Sequence, residues 1–422
     1  MRGYFKFPLI YKILIGLIVG LIVGIIVGPA IKPVAPLGDL FIRLLKMIVM
    51  PVVFFTLVVG AASISPAKIA RIGGKILGLY LLTTFIAVII GLVLANLFRP
   101  GLGMALVGEG VAKAAAVPAI KDILLGLITT NPFASLAAGD VLPTIVFALF
   151  LGVALAFLKE AKVPRISEAS TTVLEVMDGL AEAMYKLVRW VLEVAPYGVF
   201  ALIAVVVGTQ GPKVLGPLAV VTVVVYVGII IHYVVVYGAV VGVGGLNPLK
   251  FWSGAKDASI TAFVTRSSSA TLPVTLRVAD EELGIDRGLY SFTLPLGATI
   301  NMDGTALYQG VCALFIANAV GAPLGFGAQM VVMITAVLAS IGTAGIPGAG
   351  AIMLLMVLEA VGLKVEAGTA VALAYGMILG IDAILDMPRT SLNVTGDLAC
   401  SALVAKTEGM LNLDLWRRKK VA

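Results

Sequence analysis

The sequence predicts an all-α polytopic membrane protein: eight transmembrane helices plus two re-entrant helical hairpins, arranged as an inverted repeat. Three observations predict this. First, the 422 residues are 60% hydrophobic and 13% charged, with a mean hydropathy of +1.10. A soluble chain of this length could not cover so much apolar surface with so few charges. Second, apolar stretches recur at spanning length. Third, polar or glycine-rich centres interrupt the stretches in the C-terminal part.

Taken in order, the first element is the run IYKILIGLIVGLIVGIIVGPAI. It is too long for the apolar part of a signal peptide and no small-residue cleavage site follows it, so it reads as a spanning helix. Further apolar segments cover 38–63, 74–98, 119–158 (broken by Pro132 and Pro143), 165–208 and 213–242. After Pro248 the chain divides into four units, 250–282, 286–320, 325–362 and 367–408.

Basic residues set the orientation. Arg2 and Lys6, then Lys68, Arg71 and Lys75, then Lys159, Lys162 and Arg165, then Lys250 and Lys256, and the tail Arg417, Arg418, Lys419, Lys420 all fall on one side if six helices cross first and the rest crosses an even number of times. That side is the cytoplasm, so both termini are expected there in a multi-pass protein of the plasma membrane. The net charge of +7 sits at helix ends, which suits anionic lipid headgroups rather than nucleic acid. Cys312 and Cys400 lie in apolar segments and read as packing residues.

Two of the four C-terminal units do not read as simple spans. Residues 253–282 have a polar centre, TRSSSATLP, and 328–362 a glycine-rich one, SIGTAGIPGAGA. The flanking stretches are too short to span, because a spanning helix needs about 20 apolar residues. Both read as helical hairpins whose irregular tips line a watery or buried space. Each precedes a helix with a polar centre, NMDGT and DMPRTSLN. Interrupted elements of opposite entry meeting near the midplane are a transporter signature.

In 380–399, GIDAILDMPRTSLNVTGDLA, residues Asp382, Asp386, Arg389, Asn393 and Asp397 share a helical arc of roughly 80° at about 100° per residue. Thr390 flanks the same face, and Pro388 removes the backbone bond to Ile384 and is expected to kink the helix. A structural Asp–Arg pair would explain Arg389 and one Asp but leave two carboxylates over. Asp303 of Asn301-Met302-Asp303-Gly304-Thr305 adds another, so charged groups at membrane depth need partners from solution. Hydroxyl, amide, carboxylate and carbonyl oxygens suit a hard cation such as sodium. Arg389 is a rigid fork for a carboxylate, and a free Asp beside it suits an acidic amino acid. Ser267, Ser268 and Ser269 read as caps before a half-helix with Pro273 in its first turn. Gly345, Gly348 and Gly350 are read as preceding another half-helix, and a glycine-rich tip bends as a gate must. Tyr80, Thr83 and Thr84 share one helix face, as interhelical packing residues also would.

Together, TRSSS (265–269), NMDGT (301–305), SIGTAGIPGAG (340–350) and the series Asp386, Arg389, Thr390, Asn393, Asp397 resemble the glutamate/aspartate:sodium symporter family, particularly its archaeal aspartate transporters. The resemblance covers nearly the whole chain. It implies that Arg389, with Thr305 and Gly350, binds the side-chain carboxylate of L-aspartate, and that Asp386, with Thr390 and the carbonyl of Arg266, binds its amino group. Ser268, Asn393 and the backbone of Ile346 would hold the α-carboxylate. One sodium would sit on Asp397, Asn393 and the carbonyls of Gly297 and Asn301. A second would use Thr299 and the carbonyls of Ser340, Ile341 and Thr343; a third Tyr80, Thr83, Thr84, Asn301 and Asp303. Asp382 would support these from behind. The family implies a homotrimer in lipid, with an elevator motion of a transport domain (73–98, 209–249 and 250–411) against a scaffold (1–72 and 99–208), and a basic cytoplasmic tail at 412–422.

Proton-coupled relatives carry an acidic residue where this chain has Gln309, so sodium, not protons, is the expected coupling ion. His232 reads as a packed or interfacial residue. Carriage of neutral amino acids conflicts with Arg389, and carriage of amine-free dicarboxylates with Asp386. A channel needs no occluding hairpins. An intramembrane protease dyad is disfavoured, because two Asp beside an Arg would not share a proton. No enzymatic activity is expected.

Overall fold

The computed structural model describes residues 9–62, 72–104, 106, 125, 128–341, 343 and 345–417. Among these, every regular element is helical, and one isolated antiparallel bridge joins Ile285 to Leu411. The helices are α1 (Leu9–Val27), α2 (Ala35–Ala62), α3 (Gly74–Phe98), α4 (Pro132–Ala138), α5 (Val141–Lys159), α6 (Pro164–Gln210), α7 (Leu215–Ile231) and α8 (Tyr237–Val243). There follow α9 (Pro248–Thr265), α10 (Ser268–Glu281), α11 (Arg287–Ile300), α12 (Asp303–Ala319), α13 (Phe326–Ser340), α14 (Ala349–Ala360), α15 (Ala370–Thr407) and α16 (Leu413–Arg417). A 3-10 turn at Gly28–Val34 separates α1 from α2, and a π-helical turn at His232–Val236 joins α7 to α8. The basic residues Arg2, Lys6, Lys68, Arg71 and those from Arg418 onward lie outside the described residues.

Side chains are distributed inside out relative to a soluble protein. Ile26, Leu97, Ile230 and Val243 are exposed, Ile26 to 77%, whereas Asp303, Asp386, Arg389 and Asp397 are buried. That is the pattern of a chain whose outer solvent is hydrocarbon. Among the described residues, five runs are long and apolar enough to cross a membrane: Tyr11–Ala62 (which the 3-10 turn divides), Gly74–Phe98, Pro164–Gln210, Leu215–Val243 and Ala370–Thr407. The 47-residue α6 is about 70 Å long at 1.5 Å per residue, against about 30 Å of hydrocarbon. Its first half carries Glu168, Glu175, Asp178 and Glu182, so only the second half reads as a span.

Prolines mostly begin helices here. Asn131 caps α4 by accepting from Phe133 N and Ala134 N, with Pro132 in the first turn. Asn247 caps α9 in the same way ahead of Pro248. Gly139, at φ +77°, ends α4, and the chain restarts so that Pro143 lies in the first turn of α5. Pro273 differs from expectation: Ser267 is the cap of α10, so Pro273 falls in the second turn. Gly350 likewise lies within the first turn of α14, not before it.

α1, α2 and α5 pack on α6, while α3 packs on α12 and α7, and α9, α11 and α12 pack on α15. The first contact is set by glycine. A Cβ on Gly16, Gly20 or Gly24 would lie 2.3, 2.7 or 2.7 Å from the carbonyl oxygen of Pro196, Phe200 or Ala204. Lys12, buried on the same helix, pairs with Glu193 at 2.7 Å. α9 and α10 pack against each other across the two residues Arg266-Ser267, and α13 packs against α14. Lys75 pairs with Glu408, joining the start of α3 to the end of α15.

Because backbone opposes backbone at Gly20, a larger side chain there has nowhere to relax. Gly20→Leu is expected to destabilise the protein by about 1–3 kcal/mol, the usual range for overpacking, read as a lowered thermal unfolding midpoint in detergent.

Candidate functional site

The site is built where three broken elements meet the face of α15. The first break lies between α11 and α12. Asn301 and Met302 leave the helix with φ/ψ of −98/84° and −116/55°, so the expected unwound segment is present and is two residues long. The freed Gly304 N–H donates to Asn393 Oδ1 at 2.7 Å. A Cβ on Gly304 would lie 2.3 Å from the carbonyl oxygen of Arg389, so this glycine permits α12 to touch α15 backbone to backbone.

The other breaks are the tips. Arg266 closes α9 in the left-handed conformation, φ +55°. Ser267 Oγ accepts from Ala270 N at 3.1 Å and donates to Gly345 O at 2.6 Å; Ser269 N donates to the same carbonyl at 3.1 Å. The two tips are therefore tied to each other. Gly348, at φ +79°, begins α14, and its N–H donates to Asp386 Oδ2 at 3.1 Å.

On α15, Arg389 is 1% exposed. Its Nη1 donates to Asp382 Oδ1 at 3.1 Å, while Nη2 and Nε donate to Asp386 Oδ1 at 2.7 and 3.2 Å. Its guanidinium carbon lies 4.3 Å from the centre of the Tyr308 ring. Thr390 Oγ1 donates to Asp386 Oδ1 at 3.3 Å. Asp382 thus has a direct partner, and the single Asp–Arg pair weighed from sequence is a triad in which one guanidinium serves two carboxylates. Gly350 stands close to it: a Cβ there would be 2.9 Å from Arg389 Cζ and 3.0 Å from Thr305 Cγ2. Arg266, Ser268, Met302, Thr305, Thr343, Gly345, Ile346, Gly350, Asp386, Thr390 and Asn393 line one cavity of about 10 Å³, room for a single water. All the residues expected to hold substrate, except Arg389 itself, line this cavity, and Arg389 bonds directly to one of them.

Asn393 Nδ2 donates to Thr305 Oγ1 at 3.3 Å and to Met302 Sδ at 3.4 Å. Asn301 Nδ2 donates to Asp397 Oδ1 at 2.9 Å, and a Cβ on Gly297 would lie 2.4 Å from that oxygen. Asp397, Asn301 and Gly297 are therefore together, while the Asn393 amide oxygen is turned to Gly304 instead. On α3, Thr84 Oγ1 donates to Asp303 Oδ1 at 2.6 Å, Thr83 Oγ1 to Asn301 Oδ1 at 3.3 Å, and Tyr80 Oη to Thr293 O at 3.0 Å. Tyr80, Thr83, Thr84, Asn301 and Asp303 form one buried oxygen-rich cluster, and Asn301 links it to Asp397. Thr299 and Thr343 border a separate cavity of about 270 Å³. The hydroxyls of Thr299, Ser340 and Thr343 donate within their own segments to Leu296 O, Val337 O and Ala339 O. Ile341 follows α13 directly. The expected ligands here besides Thr299 are backbone carbonyls, and of these Ser340 O accepts from Thr343 N at 3.4 Å. Among the described residues no cluster of three His, Cys, Asp or Glu has metal-binding geometry.

Sequence reasoning passed over several residues. Tyr308, on which the Arg389 guanidinium stacks, carries no outward signal in an apolar run, and Tyr226 and Tyr237 carry none either. His232 does not stand alone: its Nε2 lies 3.2 Å from Asp303 Oδ2. α15 continues through Pro388, and the Ile384 carbonyl that this proline deprives of a donor accepts from Tyr226 Oη at 3.0 Å. Gln309 is buried and neutral, with no hydrogen-bond partner among the described residues for either amide atom.

An all-helical chain with lipid-facing apolar sides and a buried charged cluster at helix breaks defines a multi-pass membrane transporter. The chain belongs to the sodium:dicarboxylate symporter family, whose model matches residues 9–407. It is 36% identical over 389 residues to a protein of Bacillus caldotenax named proton/sodium-glutamate symport protein, covering 89% of this chain and 88% of that one. It is 35% identical over 414 residues to the proton/glutamate-aspartate symporter of Escherichia coli (strain K12), covering 95% and 91%. It is 33% identical over 388 residues to a C4-dicarboxylate transport protein of Azorhizobium caulinodans, covering 90% and 84%.

Two substitutions check the construction of the site. Tyr226→Phe leaves the Ile384 carbonyl without a donor and is expected to cost about 1–3 kcal/mol, measured as a lowered unfolding midpoint. Gly304→Ala separates α12 from α15 at Arg389 and is expected to abolish substrate binding in calorimetry while the helical circular dichroism is retained.

Proposed function

We propose that the protein is a sodium-coupled symporter of an acidic amino acid, L-aspartate above all, working by elevator-type alternating access. The observation that carries this reading is the ion pair between Arg389 and Asp386 at the edge of the small cavity. A carboxylate entering there takes the guanidinium fork from Asp386, which leaves Asp386 needing a cation. An amino group on the same substrate supplies one. An amine-free dicarboxylate satisfies Arg389 and leaves Asp386 uncompensated, and a buried charge that loses its partner is strongly destabilising. The exchange is balanced only for a substrate that brings both charges.

The relatives' names divide along this line: glutamate, glutamate-aspartate and C4-dicarboxylate share a carboxylate, and only the first two have an amine. Under this reading Thr305 and Gly350 accompany Arg389 on the side-chain carboxylate, Thr390 and the Arg266 carbonyl accompany Asp386, and Ser268, Asn393 and Ile346 take the α-carboxylate. The paired tips, α9–α10 and α13–α14, act as re-entrant hairpins, and their glycines and serines part to admit cargo. Sodium is co-transported cargo: the Asp397–Asn301–Gly297 group and the Tyr80–Thr83–Thr84–Asn301–Asp303 group each offer several hard oxygens. The Thr299 hydroxyl and the carbonyls of Ser340, Ile341 and Thr343 are the oxygens offered to a further cation. Neutral Gln309 supports sodium over protons as the driving ion. The assembly is a homotrimer in the cell membrane with both termini cytoplasmic, α1, α2, α5 and α6 forming the static part.

Uptake of radiolabelled aspartate into proteoliposomes is expected under an inward sodium gradient and not under a proton gradient alone. Uptake indifferent to sodium would sink the coupling. In the same assay Asp386→Asn is expected to weaken aspartate by roughly 30-fold or more, the loss typical for one member of a buried charge pair, and to weaken competition by succinate far less. Equal losses for both would remove Asp386 from amine recognition.

A further inference from the structure

The polar groups that the mechanism above leaves unused converge on one oxygen. His232 and Tyr237 are five residues apart. In a regular helix, positions five apart diverge by about 140°. Here the turn is π-helical, with Tyr237 N–H donating to His232 O, and the wider turn brings both side chains to one face. Tyr237 Oη lies 2.8 Å from Asp303 Oδ2 and 3.1 Å from Leu392 O, so its one proton goes to the nearer, charged oxygen, and His232 Nε2 reaches the same oxygen at 3.2 Å. The two rings meet edge to face, with centroids 4.9 Å apart. Both residues are fully buried. A Cβ on Gly396 would lie 2.3 Å from Tyr237 Oη, so the hydroxyl reaches its place only because α15 carries a glycine there.

A carboxylate oxygen has two lone pairs, and an ionised carboxylate only accepts. Against an ionised carboxylate Nε2 must be the donor, and Nδ1 has no partner among the described residues. With two donors Asp303 Oδ2 is saturated. Among the described residues Oδ1 receives the Thr84 hydroxyl, at 2.6 Å, and keeps a second lone pair. We propose that His232 and Tyr237 are positioning residues for the Asp303 cation site: by filling Oδ2 they lock the carboxylate rotamer and make Oδ1 the single oxygen offered to sodium. Fixing a ligand's unused atoms from behind strengthens cation binding without touching the cation. The π-turn is the device that makes two donors from one helix available to one atom.

The inference rests on the reading that Asp303 is a sodium ligand, and the experiment separates the two. Purified full-length protein is titrated with sodium alone, followed by the sodium-induced rise in thermal unfolding midpoint, with the midpoint in potassium as the structural baseline. Asp303→Asn tests the reading itself and is expected to raise the half-effective sodium concentration about tenfold or more. His232→Phe, which keeps a ring and loses the donor, is expected to raise it roughly tenfold as well. His232→Gln restores an N–H and is expected to return it to within about twofold of the starting protein, an amide N–H replacing the imidazole N–H. A structural role alone would lower the potassium baseline and leave the sodium dependence unchanged.

The positioning role is overturned if Asp303→Asn shifts the sodium dependence while His232→Phe does not, or if His232→Gln fails to restore it. An unshifted Asp303→Asn overturns the cation-site reading and the inference together. Should His232→Phe not fold, Tyr237→Phe, which removes one hydroxyl from the same oxygen, takes its place. A shift of about threefold or more is expected, in keeping with loss of one hydrogen bond to a charged group, and an unchanged sodium dependence overturns the proposal.

Discussion

Arg389 stands on the most deeply buried face of α15, held by Asp382 and Asp386 of its own helix and stacked on Tyr308. In an apolar interior none of these charges is tolerable alone, so each fixes the others. The Arg389 backbone then sets where α12 can lie, through its contact with Gly304, and its side chain sets where the start of α14 can lie, through Gly350. Much of the site geometry follows from this triad. Under the proposed function the same triad is exchangeable, because a ligand with one positive and one negative group would replace the Arg389–Asp386 contact without stranding either charge.

Glycine makes the second contribution, by subtraction. At Gly297, Gly304, Gly350 and Gly396 a methyl group would stand within 2.4, 2.3, 2.9 and 2.3 Å of Asp397, Arg389, Arg389 and Tyr237 atoms. Each of these glycines lets a polar group or a backbone approach a helix at the distance a hydrogen bond or an ion site needs. Helix breaks work alongside them. At Asn301-Met302 and at the two tips, N–H groups released from helices turn to Asn393, to Asp386 and, across the tips, to the Gly345 carbonyl. Backbone polarity is thereby delivered to a depth where water is not available to satisfy it.

The candidate cation groups are not independent of the substrate groups. Asn301 bridges the Asp397 and Asp303 clusters, and Asn393 lies between Gly304, Thr305 and Met302. Residues 301–305 of the broken element thus carry groups of both kinds within one short stretch.

The sequence by itself determined the class of the protein, the order of its elements and most of the residues that the fold gathers beside Arg389. Apolar length marks spans because lipid admits only helices that satisfy their own backbone. The interrupted units 250–282 and 325–362 were legible because glycine, serine and proline runs cannot continue a helix. Asp382, Asp386, Arg389, Asn393 and Asp397 fall on one face because the helical period requires it. What the sequence did not determine was which charge answers which. The Arg389 triad, the Ser267–Gly345 tie, the Tyr226 hydroxyl on the carbonyl freed by Pro388, and His232 beside Asp303 all join residues from different elements or depend on rotamers. The His232–Asp303 contact further depends on a π-turn that an apolar run such as IIIHYVVVY does not announce. Those pairings were decided only in the tertiary structure, because hydrogen bonding and charge compensation act over a few ångströms in space, and distance along the chain carries no record of them.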